Sequence, residues 1–206
     1  MTASCVGKVY VVDDDKGVRD SLQLLLRSVG LECEAHESAL SFLKAYSRGQ
    51  VDCLVADIRM PGMSGLDLQQ VLIERQIDIP IVFITGHGDV PMAVAAMKSG
   101  AMDFLQKPFR DQELLDRVNA ALSQARADFK DHLEVDEIRA HLAELTPRET
   151  EVMEMVVRGS ANKVIALDLG VSQRTVELHR ARVMKKMRVR SLAELVRMVE
   201  RVRGSA

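Results

Sequence analysis

From Val9 onward the chain alternates short apolar runs with stretches in which apolar residues recur every three or four positions. The first pattern suits buried strands and the second amphipathic helices, so their alternation predicts βαβ units around a parallel sheet. Five strands are expected near 8 to 12, 31 to 36, 51 to 56, 80 to 85 and 102 to 106, with helices near 16 to 29, 38 to 48, 65 to 75, 89 to 99 and 111 to 126. Residues 124 to 145 then hold neither Pro nor Gly and many helix formers, which predicts a helical linker. Within it Phe129, Leu133, Ile138, Leu142 and Leu145 recur at roughly helical spacing, which suits either a seam against a second copy or packing on the chain's own domain.

The pattern changes at Thr146-Pro147-Arg148-Glu149, which reads as a helix start: Thr146 as N-cap, Pro147 at the first helical position and Glu149 closing a capping box. Four short helices are expected near 147 to 158, 162 to 169, 173 to 187 and 192 to 202, punctuated by Gly159, the Leu169-Gly170-Val171-Ser172 turn and a second capping-box pattern at Ser191 and Glu194. The organisation that follows is a parallel α/β domain over 1–125, a helical linker over 126–145 and an all-α domain over 146–206.

Charge separates the two domains where hydropathy alone does not. Residues 1–145 carry a net −8 and residues 146–206 a net +6, which the overall −2 conceals. A basic terminal domain of this size points to a polyanion such as DNA. Cys5, Cys33 and Cys53 show no CxxC spacing, so they read as small buried hydrophobes in a reducing compartment. No stretch approaches the apolar length of a membrane span and the first residues do not form a signal peptide; a cytoplasmic protein with no membrane partner is expected.

The strand ends carry the chemistry. Asp13, Asp14 and Asp15 follow Val9-Tyr10-Val11-Val12, Asp57 follows the third apolar run, Thr85 the fourth, and Lys107-Pro108 the fifth. Open parallel sheets bind ligands at the carboxyl ends of their strands, so these groups are expected to converge. Asp13, Asp14 and Asp57 brought together would repel one another without a cation between them. Mg2+ fits best, because it prefers oxygen ligands and binds carboxylates together with phosphate oxygens. Asp57, alone at its strand end, is the candidate nucleophile for an acyl phosphate. Thr85 and Lys107 would hold the phosphoryl oxygens, and Pro108 invites a cis bond that aims Lys107 inward. Asp15 serves equally well as a cap for the first helix and stays outside the ligand set. Gly86-His87-Gly88 is too short for a dinucleotide fingerprint, no GxxxxGK[ST] occurs, and the five histidines form no HExxH.

In the basic domain, 100° steps along 173 to 187 bring Val176, Val183 and Met187 to one side, which packs inward. Arg174, Leu178, Ala181 and Lys185 fall opposite, flanked by Glu177 and Arg182. A small or polar centre with basic edges suits the major groove, where Glu accepts from cytosine, an apolar group meets a thymine methyl, and Arg or Lys reaches guanine or phosphate. The preceding short helix and the Gly170 turn complete a helix-turn-helix.

Val11-Val12-Asp13-Asp14-Asp15, Asp57-Ile58-Arg59-Met60-Pro61-Gly62-Met63-Ser64-Gly65, Thr85-Gly86-His87-Gly88-Asp89 and Lys107-Pro108-Phe109 resemble the receiver domain of two-component response regulators over nearly all of residues 8 to 125. The resemblance implies a flavodoxin-like (βα)5 fold with a five-stranded parallel sheet, and phosphorylation of Asp57 by a sensor histidine kinase. It also implies Mg2+ held by Asp13, Asp14, Asp57 and the Arg59 carbonyl, and coupling to the surface through Thr85 and Phe104. Phe104 would be half-buried core in any such sheet. Leu145-Thr146-Pro147-Arg148-Glu149, Asn162-Lys163-Val164-Ile165-Ala166 and Ser172-Gln173-Arg174-Thr175-Val176-Glu177-Leu178-His179 are similar to the LuxR-type helix-turn-helix, so the whole chain resembles the FixJ group of the NarL/FixJ regulators. By that resemblance Asn162, Lys163, Arg174, Thr175, Arg182 and Lys185 position the DNA backbone, while Glu177, Leu178 and Ala181 face bases. The implied partners are a double-stranded DNA operator, RNA polymerase and, once phosphorylated, a second copy of the chain.

Two rivals bear on this reading. A haloacid-dehalogenase-like phosphatase also uses a strand-end aspartyl nucleophile but expects a second Asp two residues later, where this chain has Arg59, and it leaves the basic domain unexplained. A regulator that binds DNA independently of phosphorylation, with a receiver-like interaction domain, would have little need of the intact acid set. No enzymatic turnover is expected beyond accepting and slowly losing the phosphoryl group, and Arg59 and His87 border that site as candidate gates for water.

Overall fold

The computed structural model describes residues 7–47, 51–86 and 90–204. The element order is β1 Lys8–Val12, α1 Lys16–Ser28, β2 Glu32–His36, α2 Ala39–Ala45, β3 Asp52–Asp57, α3 Gly65–Glu74, β4 Ile81–Thr85, α4 Val90–Lys98, β5 Asp103–Gln106 and α5 Asp111–Ala143. It continues with α6 Pro147–Val157, α7 Asn162–Asp168, α8 Gln173–Lys186 and α9 Leu192–Gly204. The linker segment is helical as expected, but it is not a separate element: α5 runs unbroken from the fifth helix of the first domain through most of it. No breaker interrupts it, so one helix carries the chain from the first of two compact units, ending at Phe129, into the second, beginning at Lys130.

In the first unit all pairings are parallel and the strand order is β2-β1-β3-β4-β5. Successive side chains on a strand point to opposite faces. Val9, Val11, Cys53, Val55, Val82 and Ile84 therefore pack against Leu22 and Leu26 of α1 and Leu114, Val118 and Leu122 of α5. Tyr10, Val12, Leu54, Ala56 and Phe83 pack on the other face with Phe42 of α2, Leu68 and Leu72 of α3 and Ala96 of α4. Both faces being covered explains why the strands read as continuous apolar runs. The chain winds to one side of β1 to place β2 and to the other to place β3, so the order reverses between β1 and β3, and a crevice opens at their carboxyl ends.

The second unit is a helical cluster around Val152, Val156, Ile165, Val176, Val183, Met187, Leu195 and Val199. Ile138 belongs to this core and Leu142 and Leu145 pack against it, whereas Leu133 is exposed. The apolar positions of the linker segment thus divide, and its second half serves its own domain. Thr146 and Glu149 form the reciprocal capping box, with the Thr146 amide donating to Glu149 Oε2 at 2.9 Å and the Glu149 amide to Thr146 Oγ1 at 3.3 Å. The second box is shifted: Ser191 Oγ caps the Glu194 amide, but Glu194 accepts from the Arg190 amide, one residue earlier than the motif requires. Gly170 takes φ +65° in the turn between α7 and α8, a conformation that glycine adopts without steric cost.

Candidate functional site

Asp13 follows β1 directly and Asp57 is the last residue of β3, so the two carboxylates stand side by side where the strand order reverses. Both are buried, Asp14 beside them is exposed, and one ligand oxygen from each of the three lies within 4.8 Å of the others. Lys107, after β5, reaches across with its ammonium 2.9 Å from Asp13 Oδ2 and 2.7 Å from Asp57 Oδ2. The Lys107-Pro108 peptide is cis. Three carboxylates and one ammonium leave two negative charges, which a dication neutralises, and the all-oxygen donor set fits Mg2+. Burial pushes the Asp13 carboxyl above its ordinary pKa, against the opposing hydrogen bonds from Lys107 and the Asp15 amide. Burial also works against the charge on Lys107, yet its hydrogen bonds to Asp57 and Asp13 prevail and raise its pKa.

The backbone holds these groups in place. Asp57 Oδ1 accepts from the Arg59 amide at 3.0 Å, and Asp13 Oδ1 from the Asp15 amide at 2.8 Å. Asp15 is the cap of α1, its Oδ1 accepting from the Gly17 and Val18 amides, so its carboxylate is committed to the helix start. The sequence alone assigns no role to two contributors, although Gly65 closes the motif that begins at Asp57. Arg19 donates from Nη1 to the Asp13 carbonyl at 2.7 Å, tying the acid loop to α1. Gly65 opens α3 directly against β3, where a Cβ would meet the Asp57 carbonyl, Phe83 Cε1 at 2.9 Å and Ile58 Cα at 3.1 Å. Only the absence of a side chain lets the helix start this close to β3.

Thr85 is buried at the end of β4, and its hydroxyl donates to the Gly86 carbonyl at 3.2 Å. It is near the acid group in topology but its proton is spent on its own loop. Phe104 is half-buried, paired in register with Phe83, and lies on the same face as Gln106, which pairs with Thr85. Thr85 and Phe104 are therefore diagonal neighbours on one face of the sheet. Arg59 is exposed beside the site, while His87 lies outside the described residues.

On α8, Val176, Val183 and Met187 are buried while Arg174, Glu177, Leu178, Ala181, Arg182 and Lys185 are all exposed. Leu178 keeps 51% of its surface in solvent, beside Ala181 at the centre of a face whose other residues are charged. Thr175 is half-buried with its hydroxyl 2.9 Å from that of Ser172, the cap of α8. Lys163 is exposed on α7, and Asn162 Oδ1 accepts from Arg180 Nη1 at 2.9 Å, so Asn162 ties α7 to α8 with its carbonyl and keeps its amide donors. Arg148 of α6 donates to the Leu169 carbonyl at the end of α7. Lys186, at the end of α8, donates to Glu149 Oε2 at 2.6 Å and to the Glu144 carbonyl at 2.9 Å. Hydrogen bonding from Lys186, with that from the Thr146 backbone, draws the Glu149 carboxyl down to a pKa of about 2.

Residues 9–119 match the response regulator receiver domain, and residues 143–199 match the bacterial regulatory proteins of the luxR family. The chain therefore belongs to the two-component response regulators, with a receiver domain joined to a LuxR-type DNA-binding domain. Nodulation protein W of Bradyrhizobium diazoefficiens is 50% identical over 99% of this chain and 90% of its own length. The transcriptional regulatory protein FixJ of Rhizobium meliloti is 48% identical over 92% of this chain and 93% of its own. Among solved structures, the response regulator StyR is 47% identical with a TM-score of 0.84, over 94% of this chain and 98% of that one. Full-length FixJ from B. japonicum is 44% identical with a TM-score of 0.58, over 96% and 98%. Within the response regulators, the chain is a FixJ-like transcriptional regulator. Its receiver implies a histidine kinase partner, and its terminal domain DNA binding. No helix among the described residues is long and apolar enough to cross a membrane.

Proposed function

We propose that Asp57 is the phosphoacceptor of a cytoplasmic transcription regulator, and that its phosphorylation favours a dimer which binds a two-fold DNA operator and engages RNA polymerase. The observation that carries this reading is the convergence of Asp13, Asp14 and Asp57 with Lys107 bridging two of them. An Asp57 carboxylate oxygen attacks the phosphorus of a phosphohistidine, forming an acyl phosphate as the bond to the imidazole nitrogen breaks. Lys107 is placed to leave Asp57 and hold an equatorial phosphoryl oxygen. Mg2+, held by Asp13, Asp14, Asp57 and the Arg59 carbonyl, supplies charge neutralisation of the phosphoryl group when bound.

The Thr85 hydroxyl exchanges the Gly86 carbonyl for a phosphoryl oxygen, and the space it vacates is open to its diagonal neighbour Phe104. Beyond forming and losing this acyl phosphate, the chain catalyses nothing. Arg174, Arg182, Lys185, Lys163, Asn162 and Thr175 set the position of α8 on the duplex, and Glu177, Leu178 and Ala181 meet base edges. Asp57→Asn tests the whole scheme: phosphodonor-dependent DNA binding, read by anisotropy of a labelled duplex, disappears. Unchanged activation would replace it with a regulator that binds DNA independently of phosphorylation.

A further inference from the structure

Arg188 stands just past the cap of α8 with φ 55°, in the left-handed region that disfavours any residue with a Cβ and is most often given to glycine at a helix end. The hydrogen bonds of such an ending are both formed, the Arg188 amide donating to the Lys185 carbonyl at 3.2 Å and the Val189 amide to the Met184 carbonyl at 3.1 Å. The backbone asks for glycine and the chain places an arginine. Gln76 shares this conformation after α3, so backbone alone does not single out Arg188. Its surroundings do.

Arg182, Lys185 and Arg188 follow one another at three-residue steps and line, with Lys186, Glu144 and Glu149, an open hollow of about 550 Å3 at the end of α8. Lys186 is committed to Glu149 and the Glu144 carbonyl. Glu149 also accepts from the Thr146 amide, and Glu194, near Arg188 on the other side, accepts from the Arg190 amide. Arg182, Lys185 and Arg188 are exposed, and none of them makes an ion pair among the described residues. Three free cations in a row of about 9 Å, from a rise of about 1.5 Å per residue, match successive groups of a polyanion better than one small anion.

We propose that Arg188, with Arg182 and Lys185, grips backbone phosphates of DNA past the C-terminal end of α8, extending the contact beyond the helix that enters the groove. This rests on the reading of α8 as the recognition helix. Contacts of this kind carry no sequence information but fix register and add salt-dependent affinity. The strained position of Arg188 separates binding from folding, because Arg188→Gly suits the backbone while removing the charge.

The test uses the full chain with Mg2+ and beryllofluoride, and a labelled duplex that the wild type selects from a random pool. Affinity is read by anisotropy across salt, beside the melting midpoint. Arg188→Gly is expected to weaken binding several-fold, to flatten the log–log salt slope by about 0.9 per bound protomer, and to melt no lower than wild type. Arg188→Lys is expected to keep the wild-type slope. A wild-type slope in Arg188→Gly overturns the proposal, as does a lowered melting midpoint, which would make Arg188 a structural residue. A wild type that selects no duplex removes the α8 reading itself, a result distinct from either.

Discussion

Lys107 Nζ stands 2.7 Å from Asp57 Oδ2, so the proposed acceptor is already paired with a cation before any phosphoryl group arrives. Breaking a hydrogen bond to a charged group costs about 1.5–3 kcal/mol. Lys107→Ala is therefore expected to weaken beryllofluoride binding at Asp57 by about tenfold or more. Titration in the presence of Mg2+ checks this, and equal affinity would show that Lys107 does not hold the phosphoryl group.

Gly65→Ala forces a methyl group against the Asp57 carbonyl, Phe83 and Ile58. Two of those contacts are backbone, which cannot swing aside as a side chain can. Overpacking of this kind costs about 1–3 kcal/mol. The receiver unit should melt lower by calorimetry, and phosphorylation by a small phosphodonor should slow because β3 must shift.

Glu149→Gln should destabilise the terminal unit at neutral pH by about 1–3 kcal/mol, since a buried carboxylate bound to Lys186 becomes a neutral amide. The pH dependence has a definite sign. The folded pKa of about 2 lies below the ordinary value of 4.5, so this stability is fully present above about 4.5 and is lost as pH falls through about 2. Denaturation of the wild type as a function of pH should show the loss, and the variant should lack that component.

Phosphorylation should change solution mass. Light scattering with Mg2+ is expected to show a monomer that doubles on adding beryllofluoride, and an Asp57→Asn chain that does not. Constant mass in the wild type would exclude dimerisation as the switch.

Much of this was readable from residues alone, for a physical reason. A buried parallel strand is a bare apolar run, so the polar residue that ends it stands out, and Asp13, Asp57, Thr85 and Lys107 all announce themselves in that way. The convergence of Asp13, Asp14, Asp57 and Lys107 followed from topology. What the pattern concealed lies in directions and partners. Nothing in the order of residues shows that the Thr85 hydroxyl bonds Gly86, that Arg19 reaches back to the Asp13 carbonyl, or that Arg180 claims Asn162. Periodicity also grouped positions with different fates inside the second unit: Leu133 and Ile138 share one apparent stripe, yet one faces solvent and the other a core. The fifth helix and the helical linker read as two elements, but the expected stop near 126 has no breaker behind it and they form one.

The setting of Asp57 bears on how the signal leaves it. Its strand is hydrogen-bonded to β1 on one side and β4 on the other, the next amide donates to the Ile84 carbonyl, and the Ile58 carbonyl accepts from Gly65 at the start of α3. The proposed phosphoacceptor is thus the anchored residue. In the proposed mechanism it would serve as a fulcrum, with the work of signalling falling to the lighter parts around it, the Lys107 ammonium, the Thr85 hydroxyl and the surface behind them, rearranging about a point that stays still.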